Sequence, residues 1–318
     1  MRSVPLSRDR AFRGAIVLAV SLLLTRAAPA VACSICRCGD PTFNALGKDG
    51  FAARGLQLAL DWERFDKQEG PSDGEAEDLV ENRVTALVSY GFSERFTLYA
   101  RVPFSHRHFQ ELDEGTVANA FNTNGLADPE IYGQARLWAS GLGSLGRRSS
   151  LSLLGGVKTA LGDNDATIDG ERADEHAQPG TGSTDVFGGL AFLYLFDKRS
   201  AFFSSGQYRH TGDNDLGYRY GSSVLLNVAY ERKLSGRIDG VLELNFRHAQ
   251  KDRVDAGGGL GENTGGSVLY LTPRLLVDAG HGVVLRAAAQ IPIARDLNGA
   301  QKERVVLNVG ASFLFGGH

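Results

Sequence analysis

The chain has 318 residues, a formal net charge of −3 and 42% hydrophobic residues. Forty glycines, seventeen phenylalanines and nine tyrosines against one methionine and nine prolines favour strands and turns over helices. The slightly acidic charge balance gives no basic face for nucleic acid, which excludes a nucleic-acid-binding protein. After residue 30 no segment has the roughly eighteen apolar residues of a spanning helix, which excludes a helical membrane protein.

The N-terminus predicts an export signal over residues 1–32. Four arginines within the first thirteen residues precede an apolar run at residues 15–24, and Ala30-Val31-Ala32 has the A-x-A pattern of a cleavage site. These features occur in the order typical of a secretory signal, which favours export over the alternative of a buried N-terminal helix. We therefore expect the mature chain to begin near Cys33.

A periplasmic segment over residues 33–53 is predicted next, and it holds all three cysteines: Cys33, Cys36 and Cys38. Their C-x-x-C-x-C spacing allows chelation of a soft metal ion such as Cu or Zn, or formation of one disulfide. Because a closed zinc site usually has four ligands, the segment fits an exchange site or a site for a periplasmic redox partner better than a structural zinc site. In the oxidising periplasm, however, we favour a disulfide with one spare thiol, or a lipid on Cys33, over metal or redox handling.

From residue 54 onward, segments of about ten residues alternate apolar and polar positions. In residues 238–248, for example, Leu242, Leu244 and Phe246 share one parity, and the polar residues share the other. A period of two places the two sets on opposite faces of a sheet. Twelve such strands are predicted, at residues 54–66, 82–92, 95–106, 129–139, 149–161, 184–196, 201–210, 218–233, 238–248, 267–279, 283–293 and 304–315.

The predicted connections alternate in length. Links around residues 93–94, 197–199, 234–237 and 280–282 are short, and a somewhat longer one follows residue 139, whereas every other link is long and polar. A soluble sandwich has no such pattern, but outer-membrane barrels have short periplasmic turns and long extracellular loops. The sequence therefore predicts an all-β fold, a single antiparallel transmembrane β-barrel of about twelve strands over residues 54–318, in the outer membrane of a Gram-negative bacterium. An even strand count places both ends of the barrel, and with them the cysteines, on the periplasmic side.

One parity of these strands carries polar side chains that we expect to line the lumen. A barrel of this size lies between filled eight-stranded barrels and open porins, so a narrow conduit for small solutes is expected. The mixed charges would hold water and orient a polar or anionic solute; the alternative is that they pair across the lumen and close it. The predicted lining is Arg101, Glu130, Gln134, Arg136, Lys158, Glu243, Arg247, Arg274 and Arg286.

Two of the long links are acidic. Residues 68–81 contain six carboxylates, and residues 162–183 contain another six. Such oxygen ligands suit hard divalent cations. Asp, Asn and Gly are also ordinary turn residues, and we favour the interpretation that these loops are simply solvated.

Three motifs resemble a known family. Residues 125–137 read GLADPEIYGQARL, residues 154–163 read LGGVKTALGD, and residues 180–193 read GTGSTDVFGGLAFL. In this order they resemble the barrel family named after the MetA pathway of phenol degradation, whose members are often described as transporters. The resemblance covers most of the mature chain and implies an outer-membrane barrel with a transport role, but not phenol as the substrate. The cysteine segment lies outside the common pattern.

These observations predict a channel or transporter rather than an enzyme, with outer-membrane lipid, a small solute and a periplasmic protein as partners. The first alternative is a closed scaffold barrel whose cysteines bind a soft metal or a redox partner. An outer-membrane phospholipase would need a nucleophile beside a base at the membrane rim. Ser105, His106 and His108 lie near a predicted strand end without a nucleophile motif, so the enzyme is the least favoured function.

Overall fold

The computed structural model describes residues 32–33, 55–69, 76–113, 116–140, 148–254, 259–261, 263–299 and 301–315. The predicted signal peptide up to residue 31, and residues 34–54 with Cys36 and Cys38, lie outside the described residues. In the described part of the chain, no helix is long and apolar enough to cross a bilayer.

Twelve antiparallel strands form a closed ring in which each strand pairs with the next. The last strand pairs back with the first, from Leu307 opposite Arg64 to Phe315 opposite Leu56, so the sheet has no free edge along this seam. The predicted fold, a single antiparallel barrel of about twelve strands, is confirmed. The strands are β1 (Gly55–Glu69), β2 (Ala76–Ser93), β3 (Phe96–Asp113), β4 (Glu130–Ser140), β5 (Arg148–Lys158), β6 (Asp185–Leu195), β7 (Ser200–His210), β8 (Ser223–Lys233), β9 (Ile238–Ala249), β10 (Thr264–Gly280), β11 (Val283–Leu297) and β12 (Val306–Phe315).

The connections alternate in length as predicted. Described turns at residues 94–95, 196–199, 234–237 and 281–282 are short, whereas residues 159–184, residues 211–222 and the described residues between 250 and 263 belong to long connections at the other end. The turn between β10 and β11 is tight because His281 and Gly282 both adopt positive φ, 55° and 77°, as a type I′ turn requires. The long-loop end therefore carries nearly all the irregular structure of the barrel.

Several strands are longer than predicted at the long-loop end. β2 begins at Ala76 and β3 ends at Asp113, and their pairing continues to Ala76 opposite Leu112. A loop strand, Thr116–Leu126, then pairs with the upper half of β3, while β4 pairs with the lower half. These upper ends were not predicted because polar residues on both faces hide the period of two.

The wall is apolar outside and polar inside. Leu244 is 43% exposed, whereas its neighbour Glu243 is 1% exposed. The same parity gives an outer surface of exposed Leu, Val, Ile and aromatic side chains on all sides of the ring. On β2 this apolar belt begins at Val84, so residues 76–83 stand above it. A belt of this kind is stable in hydrocarbon and not in water.

Two residues of the predicted periplasmic segment are described. Ala32 and Cys33 form a short strand against Gly265 and Thr264, at the long-loop end of β10. The barrel itself begins with β1 and finishes with β12 at the short-turn end. The contact of Cys33 is thus at the end opposite to the short-turn end where the segment was predicted. Cys36 and Cys38 lie outside the described residues, so the placement of the segment as a whole stays a prediction.

We expect Leu244→Arg to destabilise the barrel by about 2–4 kcal/mol, since a charge at mid-belt loses its hydration. Leu244 lies on the outer face of β9 between Val228 of β8 and Leu271 of β10. The measurement is denaturant unfolding in detergent micelles. Leu234→Arg, in the exposed turn after β8, is the matched control and should cost about 1 kcal/mol or less. Equal effects at both positions would contradict a lipid-facing belt.

Candidate functional site

The barrel interior holds most of the residues that the sequence places in the lumen. Arg136 is half-buried, because a register shift between Arg136 and Trp138 interrupts the alternation of β4. The other eight are buried on the inner face: Arg101, Glu130, Gln134, Lys158, Glu243, Arg247, Arg274 and Arg286. Whether any of them contacts a solute stays a prediction.

The interior charges are joined in ion pairs. Arg274 Nε lies 2.6 Å from Glu243 Oε1, and Arg286 Nη2 lies 2.8 Å from Asp61 Oδ1. Arg274 and Glu243 lie on neighbouring strands, whereas Arg286 of β11 reaches Asp61 of β1 past β12. Arg247 of β9 pairs with Glu303, which lies between β11 and β12 near the long-loop end, so this pair also links parts of the wall that are not neighbours.

Glu130 joins three strands of the barrel through two arginines. Its Oε2 accepts a hydrogen bond from Arg101 Nη1 at 2.9 Å, and its Oε1 lies 2.6 Å from Arg209 Nη2. Arg209 is on β7, three strands away from β4, so this ion pair crosses part of the lumen. Sequence reasoning did not select Arg209 or Asp61, although both have the inward parity of predicted strands.

Pairing leaves the interior without a surplus of positive charge. Among the described residues nine bases and eleven acids are buried. The bases are Lys67, Arg83, Arg101, Arg107, Lys158, Arg209, Arg247, Arg274 and Arg286, and the acids are Asp61, Glu63, Glu81, Asp128, Glu130, Glu175, Asp185, Glu231, Glu243, Asp252 and Glu303. In the described conformation the charges of the lining are therefore largely paired with one another, which was the alternative to an open, unpaired lumen.

A buried lysine at the end of β5 organises a second polar cluster, the lysine node, made of Asp128, Lys158, Thr181, Ser183 and Asp185. Lys158 Nζ lies 2.7 Å from Asp128 Oδ2 and 3.3 Å from Asp185 Oδ2, and it donates to the Ser183 carbonyl oxygen at 2.9 Å. Thr181 donates to the same Asp128 oxygen through its backbone N, at 2.8 Å, and through its hydroxyl, at 2.5 Å. Lys158 is only 3% exposed, so the node is a closed network.

The lysine node is where the three family-like motifs meet. Asp128 comes from residues 125–137, Lys158 from residues 154–163, and the rest from residues 180–193. Glycine permits the close approach, since a Cβ on Gly162 would lie 2.6 Å from Asp128 Oδ1, and one on Gly180 would lie 2.7 Å from the Gly162 Cα. The motifs thus hold together the two ends of the long loop between β5 and β6.

That loop, residues 159–184, folds across the mouth of the barrel, and we call it the plug loop. Its tip is a 3-10 turn, Glu175–Ala177, capped by Asp174, whose Oδ1 accepts a hydrogen bond from His176 N at 2.8 Å. The plug loop leaves the wall at β5 and β6, yet it packs into an apolar cluster with the opposite wall. This cluster contains Phe65 of β1, Leu79 of β2, Phe109 of β3, Val306 of β12, and Ala173 and Ala177 of the loop.

Polar contacts from β3 and the loop strand hold the tip from one side. Arg107, 1% exposed, donates to the carbonyl oxygens of His176 at 2.9 Å and Gln178 at 2.5 Å. Thr123 Oγ1 donates to the Ala177 carbonyl oxygen at 2.6 Å. Arg107 is itself held by Glu81, whose Oε2 lies 3.2 Å from Arg107 Nε.

The loop between β7 and β8 holds the tip from the other side. Tyr220 OH donates to the Glu175 carbonyl oxygen at 2.8 Å, and Asn214 Nδ2 donates to Glu175 Oε2 at 3.0 Å. Arg172 Nη1 completes the set at 2.6 Å from Glu175 Oε1, and this hydrogen bond raises the pKa of Arg172. Tyr218 OH lies 2.9 Å from His176 Nε2, so two aromatic hydroxyls contact the tip.

A cavity of about 630 Å³, which we call the vestibule, lies between the plug loop, the upper ends of β2 and β3, and the loop strand. The stacked rings of Phe109 and Phe121, with centroids 5.0 Å apart, form its apolar side. Partial desolvation raises the pKa of Glu77, which stands above the apolar belt, and the neighbouring carboxylates of Asp174 and Glu111 add to this shift. The acidic lining consists of Glu77, Glu111, Asp169, Glu171 and Asp174.

The model of the family described as "Putative MetA-pathway of phenol degradation" matches residues 70–291, which contain the lysine node and the plug loop. The chain belongs to this family. The match confirms the resemblance that the three motifs indicated. No curated protein sequence matches the chain significantly.

Solved structures place this MetA-family chain among outer-membrane barrels by fold. It is similar to the crystal structure of an outer membrane channel from Pseudomonas putida F1, with a TM-score of 0.64, 12% identity, and coverage of 83% of this chain and 96% of that one. The transport unit of the autotransporter AIDA-I from Escherichia coli has a TM-score of 0.47 and 10% identity, with coverage of 82% of this chain and 90% of that one. The translocator domain of the autotransporter NalP from Neisseria meningitidis has a TM-score of 0.44 and 11% identity, with coverage of 96% of each chain.

The residues considered for an enzyme do not come together in this MetA-family barrel. Ser105 faces the interior and donates to Glu81 Oε1 at 2.5 Å. His106 and His108 face outward on the same strand, where they contact Asn124 and Asn122 of the loop strand. Because nucleophile and base lie on opposite faces of β3, they cannot form a catalytic pair.

The cysteine segment cannot be assigned a ligand geometry. Within the described residues, no three His, Cys, Asp or Glu side chains are grouped so as to hold a metal ion. Cys36 and Cys38 lie outside those residues, so the soft-metal hypothesis stays a prediction.

We expect Lys158→Met to destabilise the barrel by about 3–5 kcal/mol, because Asp128 then remains buried without its base and Asp185 keeps only Arg209, whose Nη1 lies 3.7 Å away. The plug loop should also become cleavable by trypsin at Arg172. Unfolding in micelles and limited proteolysis measure the two effects. Lys198→Met, in the exposed turn between β6 and β7, is the control and should change stability by less than about 0.5 kcal/mol. An intact, protected loop in Lys158→Met would contradict the role of the lysine node.

Proposed function

We propose that this protein is an outer-membrane channel for small solutes. The observation that carries the proposal is a closed, lipid-compatible wall around a polar interior, whose long-loop mouth is covered by a loop rather than by barrel strands. A polar interior is typical of barrels that enclose a water-filled passage. The solved P. putida structure of similar fold is described as an outer membrane channel, which supports the proposal.

The preferred solutes are neutral or cationic organic molecules. Unpaired charges on the lining would orient polar or anionic solutes, but ion pairing and a small excess of buried acids remove the positive potential that would attract anions. The vestibule adds five carboxylates beside an aromatic pair. A mouth lined by one sign of charge concentrates the opposite sign, and aromatic faces bind apolar bodies and cations.

Single-channel recording in planar bilayers tests the proposal. The purified protein should give discrete conductance steps, and a salt gradient should give a reversal potential that indicates cation preference. Aromatic amines should change the current more than aromatic acids of the same size. A folded barrel that never conducts, even after its plug loop is shortened, would instead favour the closed scaffold.

Charge removal in the vestibule tests the selectivity. Glu111→Gln combined with Asp169→Asn should lower the cation-to-anion permeability ratio roughly twofold or more, because two of the five carboxylates are lost. Asp197→Asn is the matched control at the other end of the barrel. The backbone N–H of Arg199 lowers the pKa of Asp197, so this acid is charged at neutral pH and its loss should leave the ratio unchanged. Equal effects from both would contradict a selective vestibule.

The cysteine segment has a separate proposed role as an exchange site for Cu or Zn or for a periplasmic redox partner. Replacing Cys33, Cys36 and Cys38 by Ser should leave conductance unchanged and abolish Cu(I) binding by the detergent-solubilised protein, since thiolates are the soft ligands. Mass spectrometry of the same protein distinguishes a disulfide or a lipid on Cys33. Loss of conductance in the triple variant would show that the segment belongs to the pore.

A further inference from the structure

The two parts of the plug loop are held in different ways. Its base is fixed by the lysine node, where a buried ammonium group contacts two buried carboxylates and glycine backbones are in direct contact. Breaking such a network exposes uncompensated charge in a low-dielectric site and is costly. The base is therefore a stationary part of the wall.

Beyond its apolar packing, the tip is held by hydrogen bonds that water can replace. Tyr220, Asn214 and Thr123 bind it through single neutral donors, and each such hydrogen bond contributes modestly because water offers an equivalent partner. Arg107 donates to two backbone carbonyl oxygens of the tip while its own counter-charge, Glu81, lies on the barrel wall. Releasing the tip therefore leaves Arg107 paired.

The tip also has room to move. The vestibule of about 630 Å³ adjoins Ala173, His176 and Ala177 on the side of β2 and β3. A cavity of this size exceeds the volume of the short 3-10 turn that would enter it.

We propose that residues 165–178 are a gate that swings on the lysine node, closing the channel when the tip is docked and opening it when the tip moves into the vestibule. The inference rests on the proposed channel function. It assigns the hinge to the family-like motifs and the latch to Arg107, Thr123, Asn214 and Tyr220.

Reversible cross-linking tests the gate. In the background with Cys33, Cys36 and Cys38 replaced by Ser, Thr123→Cys and Ala177→Cys place thiols on the wall and the tip, where the Thr123 hydroxyl now meets the Ala177 carbonyl oxygen. Oxidation, or a short bis-methanethiosulfonate reagent, should abolish conductance steps, and a reductant should restore them. The control pair is Ser140→Cys with Ser149→Cys, whose native hydroxyls lie 2.6 Å apart across β4 and β5, and linking it should change nothing.

A second variant pair opens the latch. Tyr220→Phe with Asn214→Ala removes two donors to Glu175 and should raise the open fraction by about tenfold, while the unfolding midpoint changes little. Unchanged opening in this variant, or steps that persist after verified cross-linking, would overturn the gate. A barrel with residues 165–178 replaced by a short linker separates the two proposals, because conduction there upholds the channel whatever the gate does. Silence of that barrel as well would overturn the channel itself.

Discussion

The pairing of β12 with β1 is the constraint on which the rest of the structure depends. In hydrocarbon every backbone N–H and C=O needs a protein partner, so a sheet can remain in a bilayer only when its edges are joined. The seam from Leu307–Arg64 to Phe315–Leu56 supplies those partners. Once the ring is closed, the backbone of the spanning strands can vary little. Residues with a function therefore have to lie among the interior side chains and in the long loops.

Closure also forces charges inward, where they have to stabilise one another. Glu130 accepts Arg101 and Arg209 together, and Arg286 pairs with Asp61 beside the seam. Ion pairs of this kind compensate desolvation only when the geometry is good, and they rigidify the lining as a result. Because the paired lining is close to neutral, discrimination between solutes in the proposed channel would fall to the mouth, where five carboxylates line the vestibule.

The alternation of apolar and polar residues along the sequence was sufficient to predict the strands of the barrel wall. The strand predicted at residues 238–248 is observed as Ile238–Ala249, and eight of nine predicted lumen side chains are buried on the inner face. The exception, Arg136, lies at a register shift, which depends on pairing with β5 and leaves no mark on its own strand. The lysine node was beyond reach for a related reason: Lys158 was predicted as a lumen residue, but Asp128 and Thr181 lie in loops that have no periodicity, and only the fold brings them to it.

The plug loop and the vestibule share side chains, and this couples their occupancy. Phe109, Ala173 and Ala177 belong both to the apolar cluster that seats the tip and to the vestibule lining. Burial of apolar surface holds the tip, and a solute with an apolar body gains the same burial by lying against Phe109 and Phe121. Solute and tip therefore compete for one surface. A molecule bound in the vestibule occupies the space that the tip needs for opening, whereas an inorganic ion, which buries no apolar surface, leaves that space free.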